Sequence, residues 1–149
     1  MILPIYLYGS EKLRNENAEA DIQDKEGLTK LISDMWETLK AADGCGLAAP
    51  QVGVNLRVVI VDGTDLSDTY EYLHDFRRVM INPVVLEESE EVCDYSEGCL
   101  SVPGIYAEVT RPSKIKVEYY DENFEKVVEE FDRFGCRMVQ HELSHLEGN

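Results

Sequence analysis

Positive charge is scarce in this chain. Fourteen lysines and arginines stand against 30 aspartates and glutamates, a formal charge of −16 over 149 residues. A surface of that sign repels polyanions and argues against nucleic-acid binding. Long apolar runs are absent as well; none approaches the roughly 20 residues that span a bilayer, so no membrane partner is expected. The opening Met1-Ile2-Leu3-Pro4-Ile5-Tyr6 has no basic flank, no long apolar core and no small-residue cleavage site, and so does not read as a signal peptide. The expected location is the cytoplasm. Cysteines number only four, Cys45, Cys93, Cys99 and Cys136. Without a secretion signal they are expected as free thiols in a reducing compartment, with one a candidate metal ligand. Histidines number three. No repeat, low-complexity tract or linker is visible, and 44% hydrophobic content suits one domain over 1–149 with a real core.

What is present reads as α+β. Leu28, Leu31, Ile32, Met35, Trp36 and Leu39 fall at helical spacing and predict an amphipathic helix over 28–40. A small-residue loop follows at 41–51. Arg57 to Val61 reads as a buried strand ending at Asp62-Gly63, and 64–78 as a polar and aromatic surface excursion. Met80 to Leu86 is a second strand, with Pro83 marking an edge or a bulge. Lys114 to Tyr120 alternates, with Ile115, Val117 and Tyr119 on one side. Asp121-Glu122-Asn123 turns it into a strand around Val127 to Phe131. Asp132 is placed to cap a last helix from Arg133 to Leu146, stopped by Gly148. Small antiparallel sheets packed around that helix, plus one N-terminal amphipathic helix, is the expected architecture.

The last helix carries Gln140-His141-Glu142-Leu143-Ser144-His145, an HExxH motif. Residues four apart on a helix differ in direction by about 40°, so His141 and His145 share a face and can bind one metal. Glu142 is placed to serve as general base toward water on that metal. Phe134 and Met138 continue the histidine stripe toward the N-terminus, as core or as the wall of an apolar substrate pocket. His74, beside Asp75 in a polar stretch, is expected to be exposed and without a role. Two histidines leave a third ligand to find. Glu97-Gly98-Cys99-Leu100-Ser101-Val102-Pro103-Gly104 reads as a compact turn, and the Cys99 thiolate there is the strong candidate. A Cys-His-His set leaves the fourth tetrahedral position open, as catalysis requires. Gly98 lets backbone pass close to the metal, and the N–H groups after it are placed to serve an oxyanion. Cys93 and Cys136 read as inert.

Three blocks, in order, resemble the signature motifs of peptide deformylases: Gly44-Cys45-Gly46-Leu47-Ala48-Ala49-Pro50-Gln51, then Glu97-Gly98-Cys99-Leu100-Ser101, then Gln140 to His145. The similarity extends from the first residues to the final helix. It implies that Cys99, His141 and His145 hold one divalent metal, typically Fe(II), replaceable by Ni(II), Co(II) or Zn(II). It implies that Glu142 takes a proton from water and passes it to the leaving amine. The Gln51 side-chain amide and the Leu100 backbone N–H would stabilise the oxyanion formed from the formyl carbonyl. Gly46 would offer backbone to the peptide, with Cys45, Glu97 and Gly98 beside it. The implied reaction is hydrolysis of the N-formyl group from formyl-methionine at the start of nascent chains, releasing formate. A thiolate ligand donates more charge than a third imidazole and suits a soft-to-borderline metal.

Two positions depart from the resemblance. Ser144 stands where the family usually has an acidic residue. The chain also stops at Asn149, where most members continue into a C-terminal segment, so ribosome association through that segment is not assumed. Two rival readings remain at this level. A zinc metalloprotease of the HExxHxxGxxH type matches as far as Gly148, but its third histidine would fall beyond Asn149. A non-catalytic homologue that captures formylated N-termini would need neither Glu142 nor Gln51.

Overall fold

The computed structural model describes residues 1–6, 17–99 and 102–147, with backbone alone for 96–99 and 102–108. The first long element is helix α1, Lys25–Ala42. It starts three residues before the apolar periodicity, because the Asp24 carboxylate accepts from the Gly27 N–H at 3.1 Å and caps the first turn. Asp43, left-handed at φ 55°, ends it by donating its N–H to the Leu39 and Lys40 carbonyls.

Five strands form one antiparallel sheet in the order β1 (Gly46–Ala48), β2 (Val58–Asp62), β3 (Arg77–Glu88), β6 (Lys114–Tyr120), β7 (Lys126–Asp132). Strand β2 shows how the layers are built. Its residues alternate between two cores, Val59 and Val61 on one side, Val58 and Ile60 on the other. The second core contains Leu28, Ile32, Met35 and Leu39 of α1. The first contains Cys136, Met138, Val139 and Leu146 of the last helix, α2 (Arg133–Leu146). The sheet therefore lies between the two helices. Each fully buried Val or Ile contributes about 1.5–3 kcal/mol to holding those layers together.

Strand β6 has the bounds and the alternation expected, with Ile115, Val117 and Tyr119 buried. Strand β3 carries the expected bulge, between Ile81 and Val84, yet it runs in the sheet interior between β2 and β6. Pro83 has no N–H to give a ladder. Asn82 tolerates the left-handed backbone there, φ 54°, and its side chain makes the pairing instead. Oδ1 accepts from Ala20 N–H at 2.7 Å and Nδ2 donates to Ala20 O at 2.9 Å.

Three expectations are corrected. The 41–51 loop includes β1, whose Gly46 pairs with Val61. The 64–78 excursion is anchored inward: two 3-10 turns, Thr64–Leu66 and Glu71–Leu73, bury Leu73 and pack Tyr70, Tyr72 and Phe76 on the core, at spacings with no regular period. The compact turn at 97–104 is the end of a long hairpin, β4 (Val92–Cys99) paired with β5 (Val102–Pro112) from Val92↔Pro112 to Cys99↔Val102. Its Asp, Ser, Glu and Gly residues are poor strand formers, so pairing and not propensity makes it. Gly148, the expected helix stop, lies outside the described residues. No helix among those described is long and apolar enough to cross a membrane.

Candidate active site

Helix α2 is the platform of the site. Asp132 takes the N-cap position, but its side chain makes no capping bond and instead accepts from Arg133 Nε at 3.1 Å. The backbone turns left-handed at Arg133, φ 53°, and the Phe134 N–H is satisfied by the Tyr72 hydroxyl at 3.1 Å. An excursion residue thus caps the helix that carries the motif. At the other end, Asn17 Nδ2 donates to the Leu146 carbonyl at 2.9 Å.

His141 and His145 stand on one face as their spacing requires, ring centroids 5.1 Å apart and planes at 84°. Glu142 is 6% exposed and His145 8%. Strand β1 packs across this part of the helix so closely that Gly46 has no room for a side chain. A Cβ there would fall against Glu142 Oε2, 2.8 Å from Cδ and 2.9 Å from Cγ. Cys45 stands next to it with its thiol pushed up to about 11, first by loss of water, then by the Glu142 carboxylate and also Asp62. Cys45 is therefore an exposed residue whose sulfur is shielded from water and stays protonated.

Gln51 sits 1% exposed in the 3-10 turn Ala49–Val52, which packs on α2. Its Oε1 accepts from Ala48 N–H at 2.9 Å, which fixes the orientation of the amide. Cys99 is the last residue of β4; Glu97 pairs with Ala107 and Gly98 with Tyr106. The side chains of Glu97 and Cys99, and all of Leu100 and Ser101, lie outside the described residues. Among those described, no group of three His, Cys, Asp or Glu side chains gathers to hold a metal. The two histidines with a buried carboxylate between them nonetheless fit a divalent cation, needing one further donor.

Ser144 now has an account. Its hydroxyl donates back to the His141 carbonyl at 2.6 Å, and it lines a groove with Val84, Val85 and Leu143. Met138 is core, in contact range of Gly63, while Phe134 is half-buried and stacks on Tyr70 with Tyr95 edge-on. Cys136 is buried, its thiol pushed up to about 12 by loss of water, then by Cys93; Cys93 is half-buried and also free. His74 is exposed. Arg137 escaped sequence reasoning, and Gln140 was read only as part of the motif block. Arg137 interrupts an apolar stretch, Cys136 to Val139, and that interruption was the available signal.

An α+β fold with paired histidines and a buried glutamate on one inner helix defines the class of HExxH metallohydrolases. The family model of polypeptide deformylase matches residues 2–149. A peptide deformylase of Christiangramia forsetii is 42% identical, the alignment covering 99% of this chain and 79% of the relative. The crystal structure of a probable peptide deformylase from Synechococcus phage S-SSM7 superposes with a TM-score of 0.88 at 41% identity, covering 99% of this chain and 95% of that one. The actinonin-bound peptide deformylase of Acinetobacter baumannii gives 0.88 at 35% identity, covering 100% and 94%. The chain belongs to the polypeptide deformylase family.

Proposed function

We propose that this protein is a single-domain peptide deformylase that hydrolyses the N-formyl group of formyl-methionine on nascent polypeptides, releasing formate. The observation that carries the reading is the burial of Glu142 against Gly46 beside the paired histidines. Cys99, His141 and His145 would hold one divalent metal, Fe(II) by the family resemblance, with Ni(II), Co(II) or Zn(II) able to substitute. When bound, the metal supplies a Lewis acid that makes water acidic enough to attack a formamide near neutral pH.

The chain's own residues do the rest. Glu142 takes the proton of the attacking water and returns it to the departing amine. With Oε1 committed to Ala48, Gln51 presents Nε2 as its donor end, and the Leu100 N–H joins it in stabilising the oxyanion. The backbone of Gly46 pairs with the extended peptide, while Cys45, Glu97 and Gly98 flank it. Its partners are nascent chains in the cytoplasm, with no nucleic acid or membrane, and a ribosome contact is not part of the proposal. Neither the protease nor the non-catalytic reading gains support from the relatives.

The direct test is formate release from a formyl-Met peptide by the Fe(II)- or Ni(II)-loaded protein. Release only at background, with metal fully loaded, would rule the reading out. Gly46→Ala is expected to lower that activity about a hundredfold, since displacing a catalytic group by ~1 Å costs that much. The added methyl must push Glu142 aside. Formate kinetics alongside a thermal melt separate this from unfolding; an unchanged rate would mean that Glu142 moves without penalty.

A further inference from the structure

Among the described residues, the β4–β5 hairpin shares no ladder with the five-stranded sheet. Backbone bonds from Ser89 N–H to the Lys114 carbonyl and from Ser113 N–H to the Glu91 carbonyl carry β3 and β6 into its base. Further along the hairpin, toward Cys99 at the end of β4, side chains tie it to α2. Arg137, 2% exposed, donates through Nη1 to the Val109 carbonyl of β5 and through Nη2 to the Cys93 carbonyl of β4, both at 2.6 Å. Its guanidinium also lies 5.2 Å from the Tyr95 ring of β4. A planar, permanently charged fork suits this task, because it offers two donors in fixed relative directions. Charge-assisted bonds of that length are also stronger than neutral ones. Gln140 Nε2 holds only the far end of β5, at the Pro112 carbonyl, 2.9 Å away. Arg137 thus hydrogen-bonds both strands of the hairpin.

Its place on the helix matters. Arg137, His141 and His145 succeed one another at steps of four, so they form one stripe of α2. The hairpin strand that Arg137 grips is the strand that ends at Cys99. We propose that Arg137 is the positioning residue of the metal centre, tying the cysteine-bearing hairpin to the histidine-bearing helix through both hairpin strands. The inference rests on Cys99, His141 and His145 being the ligands, as proposed above.

The test uses Co(II)-loaded protein, wild type against Arg137→Met and Arg137→Lys. Three quantities are read: the thiolate-to-cobalt charge-transfer absorption, the rate of Co(II) loss to excess chelator, and thermal stability. Arg137→Met is expected to weaken the thiolate band and to speed metal loss about 10–100-fold, the usual effect of removing support behind a ligand. Arg137→Lys, with the charge but not the fork, should fall between. A Met variant that melts earlier yet keeps the wild-type band and release rate overturns the proposal, since Arg137 would then be structural only. If Arg137→Met does not fold, the Lys variant decides in the same way. Formate release measured in parallel keeps the two readings apart. A wild-type band without formate release overturns deformylation and leaves the positioning role standing; no wild-type band overturns the role together with the Cys99 ligand.

Discussion

Cys99→Ala is expected to purify without metal and to release formate only at background. Two imidazoles four residues apart on one helix give a cation two bonds, and a catalytic site of this kind holds its metal with three. The thiolate is also the anionic donor of the proposed set, so its loss removes charge as well as a bond. Metal content after gel filtration and formate kinetics check this together. Cys93→Ala is the control: that cysteine sits on the same strand without a disulfide, and its loss should spare the metal, because the carbonyl that Arg137 grips stays in place. Stoichiometric metal and full activity in Cys99→Ala would assign the third ligand elsewhere and revive a protease-like arrangement.

The second large effect is expected from Glu142→Gln, which should keep its metal and lose activity by about 10²–10⁴-fold, the range for removing a positioned acid–base group. The substitution is nearly isosteric, so the tight contact with Gly46 persists and the helix should fold as before. What disappears is the ability to accept a proton from water and return it to the amine. The loss should therefore lie in kcat, with KM little changed, because substrate binding does not depend on the proton. A metal-loaded Gln variant retaining more than a tenth of the wild-type rate would take the proton-transfer role from Glu142.

Parts of this protein were legible at the level of residues because their signals are local and periodic. Lys114 to Tyr120 alternates and is a strand with those bounds; Arg133 to Leu146 carries a helical stripe and is a helix with those bounds. The site's helix half was legible for the same reason, since HExxH encodes its geometry in its spacing. Other parts were not. The β4–β5 hairpin has weak strand formers, and the bonds its carbonyls accept from Arg137 join residues that no window of sequence contains. The caps of α2 likewise come from far away, Tyr72 at one end and Asn17 at the other, displacing the adjacent Asp132. Arg137 is a lone charge in the apolar run from Cys136 to Val139. Its meaning lies in two carbonyls on strands elsewhere in the chain.

The enclosure of α2 between the sheet and the hairpin bears on how such a chain can diverge. A helix touched on opposite sides is phase-locked, because each residue added or removed turns everything beyond it by about 100°. One residue inserted between Arg137 and His141 would swing both histidines away from Gly46 while Arg137 still gripped the hairpin. Substitution is open to this helix, as Ser144 illustrates with a hydroxyl folded back on its own backbone. Change of length is not, because it would turn the histidine face out of phase with the hairpin that Arg137 holds.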